Sequence, residues 1–216
     1  MTERQVFMRR VITGLIFGIL FWGVFLYAPP ILFSLLLALV ALLIASFEWT
    51  NFYNIDSWSF WLILPIYPLL PFALLIAMNH VAAYRPLLFF LFAIAFAHDT
   101  GSYIVGKMIG KHKIWPAISP NKTWEGFIGG FITTVVVAYF IRFLTPFTAI
   151  EALFAGAIIA GGGFIGDIIV SAIKRDIGLK DTGNLIPGHG GILDRIDSLA
   201  IAAPSFFYFV YNLYYA

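Results

Sequence analysis

The residues able to do chemistry lie in two polar stretches. The first reads His98-Asp99-Thr100-Gly101-Ser102-Tyr103, passes through Lys107, Lys111, His112 and Lys113, and continues as Ser119-Pro120-Asn121-Lys122-Thr123-Trp124-Glu125-Gly126. His98 and Asp99 end an apolar run, where an ionisable side chain is expensive unless it meets a polar partner. The lysines are point charges suited to phosphates, although the ordinary excess of basic residues at one membrane face explains each of them singly. That excess does not explain the neutral donors Ser119, Asn121 and Thr123.

The second stretch is denser. Asp167, Ser171 and Lys174 recur at i, i+4 and i+7, on one face of a helix. Gly161, Gly162, Gly163 and Gly166 thin that helix so that another backbone or a substrate can come close. Arg175 adds a planar fork for phosphate oxygens. Beyond it come Lys180, Asp181 and a glycine-rich turn in which Gly188, Gly190 and Gly191 flank His189. Such a turn can adopt positive φ and offer N–H groups to anions. His189 ranks first as a phosphate contact and second as a general base. Asp194 and Asp197, three residues apart, are expected in the first turn of the last helix, facing the same way; the positive helix N-terminus would favour carboxylates there in any case. Convergence of Asp167, Asp194 and Asp197 beside Lys174, Arg175, Lys180 and Arg195 would suit magnesium and the phosphates it neutralises. There is no G-x-x-x-x-G-K-[ST] loop, G-x-S-x-G elbow or H-E-x-x-H helix, which disfavours a soluble-type NTPase, an esterase of that kind and a zincin.

The elements that must position these residues are apolar. Of 216 residues, 61% are hydrophobic and 11% charged, against about 25% charged in soluble domains, so the expected solvent is a bilayer. Cysteine is absent, which excludes disulfides and thiolate metal sites. A net charge of +2 is too small to suggest nucleic acid. Seven stretches reach transmembrane length: 11–28, 30–47, 58–78, 86–106, 124–145, 151–174 and 194–215. The first is too long for a signal-peptide core and is read as a retained helix. Pro65, Pro68 and Pro71 should kink or break the third. With the N-terminus cytoplasmic, all of the 13 basic residues except Arg85 and Arg142 fall inside. Both polar connections, 106–124 and 174–195, fall on that side too. The expected fold is an all-α integral membrane protein: a polytopic bundle of about seven transmembrane helices with two polar cytoplasmic loops. Residues 1–85 would be scaffold, and 86–216 a catalytic transmembrane region whose active site faces the cytoplasm.

Ser171-Ala172-Ile173-Lys174-Arg175, Lys180-Asp181 and His189-Gly190-Gly191-Ile192-Leu193-Asp194-Arg195-Ile196-Asp197 resemble, at matching spacing, the signature of the phosphatidate cytidylyltransferases (CDP-diacylglycerol synthases). The block 119–126 is similar to a second region of that family. The resemblance covers 97–198, and the chain is shorter than a typical member, which suggests a missing N-terminal span or two. It implies transfer of the cytidylyl group of CTP to phosphatidic acid, giving CDP-diacylglycerol and pyrophosphate in a bacterial-type cytoplasmic membrane. It implies catalytic roles for Asp167, Lys174, Asp194 and Asp197, with the three aspartates holding Mg2+ and a second ion conceivable. Substrate contacts fall to Ser119, Asn121, Lys122, Ser171, Arg175, Lys180, His189 and Arg195. A homodimer is implied by the family alone. The rivals are a CTP-using polyprenol or phytol kinase, which attacks the γ-phosphorus, and a transporter using Asp167 and His98. The D-G-x-x-A-R helix of CDP-alcohol phosphatidyltransferases is absent.

Overall fold

The computed structural model describes residues 3–183, 185–186 and 190–215, with side chains given from residue 8 onward except those of 9–11 and 215. His189 and Gly188 therefore lie outside the described residues. The chain divides into two compact units, Met1–His80 with Ile177–Ile196, and Val81–Asp176 with Asp197–Ala216.

In the first unit, α1 (Glu3–Tyr27) is followed by α2 (Pro30–Leu43). Pro29 caps α2 in an extended conformation, and Pro30 takes its first position, where a missing N–H costs nothing. Phe33 of α2 meets Phe21 and Phe25 of α1 edge-to-face, with centroids 5.4 and 5.0 Å apart. The end of α2 loosens into a π turn, Ile44–Glu48, then a 3-10 turn, Trp49–Asn51. The prolines interrupt the next hydrophobic run as expected: α3 (Trp58–Ile63) gives way to a wide turn over Pro65–Leu69 before α4 (Leu70–His80). Tyr67, just before Pro68, is extended at φ −150 and ψ 125, because the proline ring excludes helical geometry from the residue before it. Asn79 ties α4 to the start of α2, donating to Pro30 O at 2.7 Å and Ser34 Oγ at 2.9 Å.

The second unit holds α5 (Arg85–Ile109), α6 (Trp124–Ile141), α7 (Ala149–Asp176) and α8 (Leu199–Tyr215). Small residues let α5 and α6 touch: a Cβ on Gly130 would sit 1.9 Å from Ser102 Oγ, and one on Gly129 2.4 Å from Val105 Cγ2. The connection 106–124 is more ordered than a loop. It contains an antiparallel hairpin of β1 (Lys113–Trp115) and β2 (Ser119–Thr123). Thr123 then caps α6, its Oγ1 accepting from Gly126 N at 3.1 Å. Glu125 accepts the Lys111 and His112 N–H groups at 3.1 and 3.2 Å, so one side chain closes the hairpin's entry.

Among the described residues five helical stretches are long and apolar enough to cross a membrane: Pro30–Asn51, Trp58–His80, Ala82–Ile109, Trp124–Leu144 and Ala149–Asp176. Ile12–Tyr27 and Leu199–Tyr214 are shorter apolar helices. The protein is a helical membrane protein. The last helix starts later than its expected position of 194. Leu193–Arg195 form a separate 3-10 turn, and α8 begins at Leu199. Asp194 and Asp197 therefore do not share a helical turn, and the three-residue spacing no longer makes them face together.

Candidate active site

The second unit carries a row of alternating charge along the polar end of α7. Ser171 Oγ donates to Asp167 Oδ1 at 3.2 Å, one helical turn away, as the i, i+4 spacing requires. Lys122 reaches the other oxygen, Oδ2, from β2 and forms an ion pair with it. The Lys122 ammonium also lies 5.3 Å from the centroid of the Phe164 ring. Lys174, buried on the same face of α7, stands 3.9 Å from Asp197 Oδ2. Burial raises the Asp197 carboxyl from its ordinary value to about 7; the Asp167 charge pushes the same way, while Lys174 and Lys122 oppose it. Close approach of backbone explains the glycines. A Cβ on Gly166 would lie 2.8 Å from Asp197 O, and one on Gly162 3.0 Å from Ala202 Cα, whereas Gly161 has nothing within 4 Å.

At the end of α7, Arg175 Nε donates to Ile118 O at 3.2 Å, tying the helix to the hairpin turn just before Ser119. Ser119 is half-buried and Asn121 exposed on the same strand as Lys122. His98 is buried in α5, its Nδ1 3.4 Å from Thr134 Oγ1 of α6.

In the first unit, Asp194 is engaged by backbone. Its Oδ2 accepts from Thr182 N at 2.8 Å and from Gly191 N at 3.0 Å, drawing both ends of the glycine-rich turn onto one oxygen. Ile186 N donates to Gly190 O at 2.9 Å inside that turn, and Gly190 adopts φ +85, the left-handed geometry expected of it. Lys180 and Arg195 are exposed at its two ends.

The sequence reading passed over one residue here. Glu48, at the end of the π turn, is completely buried, and its carboxylate accepts from Ile192 N at 2.6 Å, Leu193 N at 2.7 Å and Thr182 Oγ1 at 3.1 Å. Asn51 Nδ2 adds a bond of 2.8 Å to Thr182 O. The available signal was an acidic residue closing an apolar run, and the expected span 30–47 stops one residue short of it.

The structure thus joins Asp167 to Lys122 and Ser171, and Lys174 to Asp197, while Asp194 belongs to the other unit. Among the described residues no three His, Asp or Glu side chains are grouped closely enough to hold one ion. The donor chemistry of Asp167 and Asp197, oxygen only and beside one another's charge, fits a hard divalent cation.

Residues 52–213, well over half of the chain, match the model of the cytidylyltransferase family. The chain belongs to that family. Relatives of the cytidylyltransferase-family chain include the Escherichia coli (strain K12) protein named "Uncharacterized protein YnbB", 51% identical over 125 residues, which are 57% of this chain and 42% of the relative. The phosphatidate cytidylyltransferase of Staphylococcus aureus (strain COL) is 45% identical over 117 residues, 53% of this chain and 45% of that protein. The Staphylococcus haemolyticus (strain JCSC1435) protein of the same name gives the same identity over the same length. The chain thus spans less than half the length of these relatives.

Proposed function

We propose that this membrane protein transfers the cytidylyl group of CTP to phosphatidic acid, releasing CDP-diacylglycerol and pyrophosphate. The observation that carries the reading is the row Lys122–Asp167–Ser171 with Lys174–Asp197, in which each lysine is held by a carboxylate at a polar helix end. Membership of the cytidylyltransferase family and the names of the staphylococcal relatives support it.

In the reaction a phosphatidate oxygen attacks the α-phosphorus of CTP. One P–O bond forms there, the bond to the β-phosphate bridging oxygen breaks, and pyrophosphate leaves with the electron pair. The reactants are all anions, so catalysis consists chiefly of positioning and charge neutralisation. Lys122 and Lys174, held in place by aspartates, transfer part of their hydrogen bonding to phosphate oxygens when substrates arrive. Arg175, Lys180, His189 and Arg195 take the remaining phosphate charge, Ser171 orients Asp167, and Ser119 and Asn121 border the nucleotide. Magnesium, alone or with a second ion, would be held by Asp167, Asp194 and Asp197 and would neutralise charge on the triphosphate. Seven spans, with the N-terminus and active site on the cytoplasmic side, let the lipid enter from the bilayer while CTP arrives from water. A homodimer is the assigned assembly, and nucleic acid has no part in the function.

The test is turnover of purified protein in detergent with phosphatidate, radiolabelled CTP and Mg2+, resolving lipid products from pyrophosphate. CDP-diacylglycerol with stoichiometric pyrophosphate is the expected result. A phosphorylated lipid with CDP would mean attack at the γ-phosphorus and would overturn the reading.

A further inference from the structure

Glu48 is a carboxylate with no exposed surface, and among the described residues no ion pair joins it to a cation. Its charge is met by three donors that all belong to one turn of chain: Ile192 N at 2.6 Å, Leu193 N at 2.7 Å and Thr182 Oγ1 at 3.1 Å. A buried carboxylate is costly unless such bonds are complete, and an apolar side chain of similar size would make a cheaper scaffold.

Other features show that the turn is built around this group. Gly191 leaves no room for a side chain: a Cβ there would lie 1.9 Å from Thr182 Oγ1 and 2.9 Å from each Glu48 carboxylate oxygen. Gly183 approaches from another direction, its hypothetical Cβ 3.2 Å from Glu48 Cγ. The π turn Ile44–Glu48 widens the helix by one residue where it delivers the carboxylate, a local distortion frequent at functional sites. Asp194 grips the same turn through Thr182 N and Gly191 N. Two carboxylates, one from the N-terminal helices and one from the turn itself, thus hold the backbone at 182 and 191–193.

We infer that Glu48 is a positioning residue for the nucleotide, fixing through Ile192, Leu193 and Thr182 the turn that presents Lys180, Asp194 and Arg195 to CTP. The inference rests on the cytidylyltransfer reading for its substrate. Glu48 touches no reacting atom. It acts by holding the donors of the turn in one arrangement before the triphosphate arrives, so that binding does not have to order them. Glu48→Gln keeps the volume but turns one acceptor into a donor facing other donors.

The experiment compares wild type, Glu48→Gln, Thr182→Val and Thr182→Ser in detergent, each normalised to folded protein by size-exclusion and melting temperature. Two readouts are taken: hydrogen–deuterium exchange of peptides covering 182–193, and kcat and KM for CTP. In Glu48→Gln, exchange of those peptides is expected to accelerate at least ~10-fold while α5–α7 stay protected, and KM for CTP to rise ~10-fold or more. Thr182→Val should give a smaller rise, about 3–10-fold, and Thr182→Ser, which restores the hydroxyl, should lie within about twofold of wild type. A residue that only stabilised the fold would lower the folded fraction and leave KM for CTP unchanged. That pattern, or protected turn peptides in Glu48→Gln, overturns the inference. If Glu48→Gln does not fold, the Thr182 pair decides: equal KM values for Val and Ser overturn it. Wild-type protein that makes no CDP-lipid sinks the functional reading and the nucleotide role with it, whereas an active wild type with unaffected variants sinks the Glu48 inference alone.

Discussion

Two kinds of carboxylate distinguish the turn after α7, in the first unit, from the polar end of α7, in the second. In the first, Glu48 and Asp194 are satisfied by backbone N–H groups, joined at Glu48 by one hydroxyl. In the second, Asp167 and Asp197 face lysine ammonium groups, Lys122 and Lys174, Asp197 accepting also from Ser198 N at 2.9 Å. A backbone N–H cannot leave its carboxylate without the chain refolding locally, so the bonds of the first pair fix conformation, at Asp194 on the Oδ2 oxygen. A lysine on a four-carbon stem can swing from a carboxylate to a phosphate at little cost, so the second pair holds charges that substrates and ions can take over. The difference teaches that counting acidic residues near a candidate site is not enough; what matters is what each one would have to give up in order to act.

The sharpest way to break this contrast is Asp167→Asn. It should reduce turnover by ~10³-fold or more, because the anionic ligand is lost and Lys122 is no longer anchored by a carboxylate, while folding is kept. Steady-state CDP-lipid formation and melting temperature, measured on the same preparation, check it. Near-normal activity would remove Asp167 from the site. Lys122→Met comes next, with kcat/KM for CTP expected to fall about 100-fold, the scale of truncating one partner of a partly buried ion pair. A loss confined to phosphatidate kinetics would reassign Lys122 to the lipid.

Gly191→Ala reports on the other kind of carboxylate. The added methyl would press on Thr182 and Glu48, and overpacking of this sort costs about 1–3 kcal/mol of stability. A clear fall in melting temperature is therefore expected here and not in Asp167→Asn, and the reverse ranking would abolish the distinction between the units. Ser171→Ala is the mildest test. It removes one hydrogen bond to Asp167, so about 1 kcal/mol, or roughly a fivefold loss of kcat, is expected with unchanged thermal stability.

Part of the candidate site's geometry was legible in sequence because its logic is local. The spacing of Asp167, Ser171 and Lys174 set them on one face of a helix that formed as expected, and Ser171 does reach Asp167. The glycines at 162 and 166 announced close packing and have it. The same local logic failed at Asp194 and Asp197. A 3-10 turn and a break precede α8, and nothing in three-residue spacing reveals such a break. The hairpin of 113–123 escaped for a different reason. Its strands are short and polar, and one of them carries Pro120, which reads as a turn breaker. Its order comes from Glu125 binding the Lys111 and His112 amides, an arrangement outside any periodic pattern.

The sequence by itself determined the solvent of this protein and the chemistry of its polar ends. Hydrophobic runs of spanning length leave their helices no stable place but a bilayer, and charges gathered in a few stretches mark where water is met. Only the tertiary structure decided which partner each charge takes. Lys122 reaches Asp167 across 45 residues of chain, and Glu48 meets Ile192 across 144. Such pairings depend on how helices pack and where turns end, and those are settled by contacts between residues far apart in the chain.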